Sequence, residues 1–278
     1  CFTHFELEDL PTFWGGYDKL PLNAKYFAHF PEKPSLAMSG KFHTMWGEFG
    51  GFKHPGAITY EVAHSVALGA GCSFGDQLHP NGAMEIATYR NIAQGYEYFD
   101  KVSDYGLDGE FYSDLALVLS GDDNTNQGVS KMLLEEHLEF EVLGPASDWS
   151  RYRTLIIADG PVREEALVEK LRAFTARGGA VLALHKALLN GEAETFVLDC
   201  GADFVGPARY RQDYSHAARS LAHDLPDAPF LNYEPAIRAR LHPGAESLGA
   251  IHEPFFDRTY ATYSSHRNTP YRNEPAEH

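Results

Sequence analysis

The 278 residues suffice for one large domain or two ordinary ones, and 44% hydrophobic with 22% charged residues puts them in the globular class. The excess of 39 acidic over 23 basic residues, a net charge of −16, argues against nucleic acid and anionic lipid as partners. No apolar run approaches the roughly 18 residues of a membrane span; the three scattered cysteines, Cys1, Cys72 and Cys200, form neither a CxxC pair nor a zinc knuckle, so a reduced, cytoplasmic chain is expected.

The run Cys1–Glu8 (CFTHFELE) alternates as a strand does, with Phe5 and Leu7 on one face and His4, Glu6 and Glu8 on the other. It begins without a Met and directly in strand, so the chain is expected to be a piece of a longer protein. Pro11 breaks the strand, and a loop carrying Trp14 and Tyr17 leads to a short helix around Asn23–Phe30. A second strand, Ser35–Met38, opens into the long loop Ser39–His54. Pro55 then suits a helix start, and the helix from about Gly56 to Leu68 stops at Gly69. A third strand, Cys72–Gly75, gives way to the loop Asp76–Gly82 and a helix over Met84–Lys101.

Short apolar strands alternating with helices predict a parallel sheet. The polar and aromatic residues gather just after each strand, which is where a (β/α)8 barrel builds its active site. Three βα units cannot close a barrel, so the remaining units are expected upstream or on another chain. The glycine-containing junction Asp104–Glu110 marks a domain boundary, giving a barrel portion over residues 1–105 and a second α/β domain over 106–278, expected to be truncated at its end. Its strands are Leu115–Ser120, Phe140–Leu143, Leu155–Ala158 and Ala180–Leu184, with helices over Val129–Leu138 and Glu164–Ala176, in a flavodoxin-like sequence of elements. Two longer antiparallel strands, Phe230–Leu241 and Ser247–Phe256, follow, and Ser264–His278 carries no helix or strand signal.

Three loops converge in this reading. The first contributes His4, Glu6, Glu8, Trp14 and Tyr17; the second Lys41, His43, Trp46 and Glu48; the third Asp76 and His79. Glycoside hydrolysis needs two carboxyl groups flanking the bond, with indole faces to stack on sugar and imidazole, amide or ammonium groups to hold hydroxyls. Each residue also fits a plainer role. Glu6 and Glu8 suit solvated charges on an edge strand, Trp46 suits loop packing, and His43 suits a backbone contact. Glu48, among Gly47, Gly50 and Gly51, suits a tight turn, while Asp76 and His79 suit caps of the next helix. His54, before Pro55, reads as a helix-start feature. There is no HExxH and no pair of histidines one turn apart among these candidates, so neither a metal nor another cofactor is expected.

In the second domain, Gly121–Gly128 (GDDNTNQG) is acidic and lacks both Lys and GxGxxG, so it reads as an Asn/Asp turn and not as a phosphate or calcium loop. Class I glutamine amidotransferases place a nucleophilic cysteine at a strand-to-helix elbow; the corresponding turn here is Leu184–His185–Lys186, and Cys200 lies well past it. The second domain therefore reads as structural.

The segments HFELEDLPTFWGGYDKLP, MSGKFHTMWGEFGGFKHP and GCSFGDQLHPNG resemble the C-terminal barrel motifs of the bacterial hypothetical glycosyl hydrolase 6 family, which includes the α-L-fucosidases of glycoside hydrolase family 151. The chain from about Tyr112 onward, with FDRTYATYSSHRNTP, resembles the β-galactosidase trimerisation domain, an amidotransferase-like fold. The resemblance implies a metal-free, retaining exo-glycosidase acting on terminal α-L-fucose, with β-galactose as second choice and its nucleophilic aspartate upstream of Cys1. It implies a homo-oligomer, specifically a trimer. Glu6, Glu8 and Glu48 are the candidate general acids, Glu48 preferred for its loop position; His4, Trp14, Tyr17, Lys41, His43, Trp46, Asp76 and His79 are the candidate sugar contacts. A non-catalytic carbohydrate-binding or oligomerisation unit is the alternative.

Overall fold

The computed structural model describes residues 2–160, 162–192 and 194–277. Cys1, the start of the expected first strand, and His278, the end of the tail, lie outside the described residues. The chain divides into two compact units, Cys1–Ala158 with Phe174–Leu182, and Asp159–Ala173 with Ala183–His278.

In the first unit, β1 (Phe5–Glu8), β2 (Ser35–Gly40) and β3 (Gly71–Gly75) form a parallel sheet in chain order, with Phe5 opposite Ser35 and Leu36 opposite Gly71. Parallel neighbours need crossovers, supplied by α1 (Lys19–Phe27) and α2 (Pro55–Ala67); α3 (Ile86–Gly106) follows β3. Leu7 of β1 and Ala37 of β2 pack with Leu20 and Ala24 of α1, and with Leu68 and Ala70 after α2, while Phe5 and Phe27 lie against this core. Phe5 and Leu7 thus take the helix side of β1, and the pleat turns Glu6 and Glu8 to the other face. The α1 helix starts earlier than expected. Pro21 occupies its first turn, where a missing N–H leaves no bond unmade.

A second parallel sheet has the strand order β5-β4-β6-β7, built from β4 (Leu115–Val118), β5 (Glu141–Leu143), β6 (Thr154–Ile157) and β7 (Ala180–Ala183). The first strand pairs parallel with both β5 and β6, which is the flavodoxin-like arrangement. Its core is aliphatic, with Ala116, Leu117, Val142, Leu143 and Leu155 fully buried. The acidic segment after β4 is a correction to the reading as a turn. Asp122 is the N-cap of α4 (Asp123–Glu135), its Oδ1 accepting the N–H groups of Asn124 at 2.9 Å and Thr125 at 3.3 Å. The helix begins there because aspartate satisfies two N–H groups that a helix start leaves unpaired. The fifth helix, α5, spans Glu165–Ala176.

The last part is antiparallel. Beyond the expected strands it contains β8 (Ala202–Gly206) and β9 (Asp213–Ala217). The long strand expected over Phe230–Leu241 is two strands in different sheets: β10 (Phe230–Asn232) pairs with β9, and β11 (Arg238–Leu241) pairs with β8. Pro235 lies in the break, and buried Asp213 accepts the N–H of Ala236 and the amide of Asn232, both at 2.7 Å. Pro235 has no N–H to donate and that of Ala236 is taken by Asp213, so the strand ladder cannot continue through. β12 (Gly249–His252) flanks β9 on its other side.

Candidate active site

The site is built where the three parallel strands end. Trp46, from the loop after β2, donates its indole N–H to Oε1 of Glu8, the last residue of β1, at 2.9 Å. Its ring stands edge-on to buried Phe42, with centroids 5.2 Å apart, and lies across Gly75 at the end of β3. A Cβ at Gly75 would sit inside the indole, so this strand end must be glycine for Trp46 to reach Glu8. Loop one also meets loop two through Thr12 Oγ1, which donates to the Thr44 carbonyl at 3.1 Å. Loop three meets loop two through His79, whose ring is 5.6 Å from that of Phe49.

The other candidates are distributed unevenly. Glu6 is exposed on the same face as Glu8. His4 is exposed and precedes β1, so it belongs to the opposite end of the strand from the loops, with its ring bonded to neighbouring Thr3. Trp14 is half-buried beneath the Lys19 ammonium, 4.9 Å from the ring centroid. Lys41 is buried, with its ammonium 4.8 Å from Phe42 and 5.1 Å from Phe52, while His43 is exposed. Glu48 turns back on its own loop: its two oxygens accept the N–H of Thr44 at 2.7 Å and the Thr44 hydroxyl at 3.2 Å. Asp76 accepts the N–H of Gln77 at 2.7 Å, and His79 Nδ1 accepts that of Asn81 at 3.4 Å. His54 is the N-cap of α2, its Nδ1 accepting the Gly56 N–H at 3.0 Å. Among the described residues no three His, Cys, Asp or Glu side chains are grouped to hold a metal ion.

Tyr17 faces away from the rim and into a buried polar cluster that sequence reading missed. Its hydroxyl donates to Glu61 Oε1 at 3.2 Å. Burial, and then the Glu61 charge, push this phenol up to about 12. Glu61 of α2 pairs with buried Lys53 at 2.9 Å and accepts the Ser39 hydroxyl at 2.8 Å. Asp9, directly after β1, lines the same small cleft with Tyr17, Ser39, Glu61, His64 and Ser65. Burial pushes its carboxyl up to about 6, against the pull of Lys19 and with a further push from Glu61. The sequence did carry a signal. Asp9 shares the parity of Phe5 and Leu7, and so continues the face turned to the helices.

In the second unit, the turn after β7 keeps an elbow geometry. His185 has φ of +50°, where non-glycine residues are uncommon, and its Nδ1 lies 3.3 Å from Asp159 Oδ2. Asp159 also accepts the Lys186 N–H at 3.1 Å. Burial opposes its ionisation, but the N–H groups of Gly160 and Lys186 and the His185 ring outweigh this and hold the carboxyl below its usual range. Cys200 is exposed and far along the chain from this turn.

Comparison with family models and with curated proteins gives no match. Among solved structures, α-L-fucosidase isoenzyme 2 from Paenibacillus thiaminolyticus is 37% identical with a TM-score of 0.89, over 98% of this chain and 43% of that one. A catalytic mutant of Gan42B, a GH42 β-galactosidase from G. stearothermophilus, is 14% identical with a TM-score of 0.67, over 92% of this chain and 44% of that one. A β-galactosidase from Bacillus circulans sp. alkalophilus is likewise 14% identical with a TM-score of 0.67, over 89% and 43%. The chain thus spans less than half the length of each, and its likeness to the β-galactosidases is one of fold. These likenesses make it a fucosidase-like chain of glycoside hydrolase fold, similar over nearly its whole length to part of an α-L-fucosidase.

Proposed function

We propose that the protein containing this chain is a retaining, exo-acting α-L-fucosidase, and that this chain supplies part of its sugar-binding rim. The observation that carries the reading is the Trp46–Glu8 contact, which sets an indole and a carboxyl together at the ends of parallel strands. The 37% identity to an α-L-fucosidase narrows the substrate class. Glu8 is the proposed acid/base carboxyl, because Glu48 is engaged by Thr44 within its own loop and Glu6 lies two residues further from the strand end. Glu8 protonates the leaving oxygen and then deprotonates the incoming water, while a carboxylate from another part of the protein attacks the anomeric carbon. Trp46 orients Glu8 and offers its ring edge to the sugar, with His43, Asp76 and His79 on the adjoining loops as hydroxyl contacts. The shared fold with GH42 β-galactosidases makes β-galactosides the second substrate choice. The fold likeness also motivates a homo-oligomer, a trimer, which sedimentation of the complete protein checks.

The test is a pair of variants in the complete protein. Glu8→Gln should lower turnover about 10²–10⁴-fold on fucosides with poor leaving groups. The loss should be much smaller on nitrophenyl fucosides, whose leaving group needs no proton, and added azide should restore part of the rate. Glu48→Gln should cost less than about tenfold on either substrate. The reverse ranking would assign the role to Glu48.

A further inference from the structure

The rim residues lie on a loop, and something must hold that loop. The segment from Lys41 to Lys53 carries His43, Trp46 and Glu48, and its ends are tied together at a single point. The Lys53 N–H donates to the Lys41 carbonyl at 3.0 Å, and the Lys41 N–H donates to the Gly75 carbonyl at the end of β3, also at 3.0 Å. The Lys53 ammonium runs inward, where it meets Ser39 Oγ and both oxygens of Glu61, each at 2.9 Å. The Lys53 carbonyl accepts the amide of Asn91 from α3 at 2.8 Å. Glu61 also accepts from Ser39 at the end of β2 and from Tyr17 of the first loop. One ion pair therefore gathers two rim loops, a strand end and a helix, and a backbone bond beside it adds the third strand.

Both charged side chains are almost wholly buried, at 3% exposure for Lys53 and 6% for Glu61. Desolvation of two charges roughly cancels their attraction, so an apolar pair of similar volume would stabilise the fold about as well. What an apolar pair cannot supply is direction: its side-chain hydrogen bonds with Ser39 and Tyr17 tie the base of the loop to the end of β2 and to the first loop.

We propose that Lys53 and Glu61 are positioning residues whose buried ion pair fixes the base of the Lys41–Lys53 loop and thereby holds the Trp46 indole on Glu8. The inference rests on the reading of Glu8 as the acid/base carboxyl. Neither residue touches the sugar.

The test uses the complete protein with Lys53→Met and Glu61→Leu combined, which keeps the volume and removes the pair. Acrylamide quenching of the fluorescence that Trp46→Phe removes should rise, because the indole swings off Glu8. On fucosides with poor leaving groups kcat/KM should fall on the order of tenfold or more, chiefly in kcat, since one misplaced group suffices for that. A folded double variant with wild-type quenching and wild-type kcat overturns the proposal. Ser39→Ala, which keeps the ion pair and removes one of its anchors, is the second variant. It should shift both readouts in the same direction by less, and unchanged quenching in a folded Ser39→Ala protein counts equally against the proposal where the double variant does not fold. If the complete protein cleaves no glycoside, the functional reading fails, and the quenching alone still decides whether the pair positions Trp46.

Discussion

Asp9 shows how one residue can set the pH response of this region. It follows Glu8 directly, yet it faces the helices and is 5% exposed, with Oδ1 unpaired. Its carboxyl titrates at about 6 in the folded chain against 3.8 for an unperturbed aspartate. A raised acid pKa means the folded state holds the proton more tightly than the unfolded one. The contribution of Asp9 to stability is therefore fully present below about pH 3.8, falls as the pH rises towards 6, and is lost above it. Asp9→Asn carries no charge and should escape this loss. Its Tm relative to wild type should climb between pH 4.5 and 7.5, and a gap that stays constant over that range would mean that Asp9 ionises freely. The contrast between neighbours is instructive: one step along a strand separates a rim carboxyl bonded to an indole from a buried one bonded to nothing at Oδ1.

At the scale of elements, the α4 start shows a local rule hidden by composition. Asp122 caps the helix, and buried Asn126 ties it back to Ser120, accepting the Ser120 N–H and donating to the Ser120 carbonyl, both at 3.0 Å. Asp122→Ala should destabilise by about 1 kcal/mol and speed amide exchange at Asn124 and Thr125, whereas Asp122→Asn should do little. Unchanged exchange in the alanine variant would deny the cap its role. The parallel strands were legible because they are short apolar runs with glycine or proline punctuation, and β1, β2 and β3 each fall within a few residues of expectation. The GDDNTNQG segment misled because Asp and Asn, unfavourable in a helix interior, are favoured at its start. The break between β10 and β11 depends on Asp213, some twenty residues upstream, and no local pattern reveals such a long-range acceptor. The three loops of the candidate site were legible as segments following three strands. It was not legible which carboxyl faces which way, since the hydrogen bonds of Glu48 with Thr44, and of Tyr17 with Glu61, are settled by loop folding and not by spacing.

At the scale of the molecule, the βα layer and the flavodoxin-like sheet share the first compact unit, and charged groups join them. Lys25 of α1 is buried, donates to Glu139 and to the Phe140 carbonyl at 3.0 Å, and lies over the rings of Phe111 and Phe140. Glu141 of β5, fully buried, accepts from Arg151 and from the Tyr152 hydroxyl at 2.8 Å, with His29 Nε2 at 3.5 Å. Burial holds the His29 imidazole below its usual range, against the pull of Glu141. Such a joint ties the flavodoxin-like sheet to the βα layer that carries the candidate loops. Among the described residues no helix is long and apolar enough to cross a membrane.

The measurement that bears most directly on this account is hydrolysis of a panel of aryl glycosides by the complete protein, with the anomeric configuration of the first-formed sugar followed by proton NMR. The account predicts cleavage of the α-L-fucoside above all others, with fucose released first as the α-anomer. Release as the β-anomer would contradict the retaining mechanism, and a folded protein that cleaves none of the panel would contradict the assignment as a glycosidase.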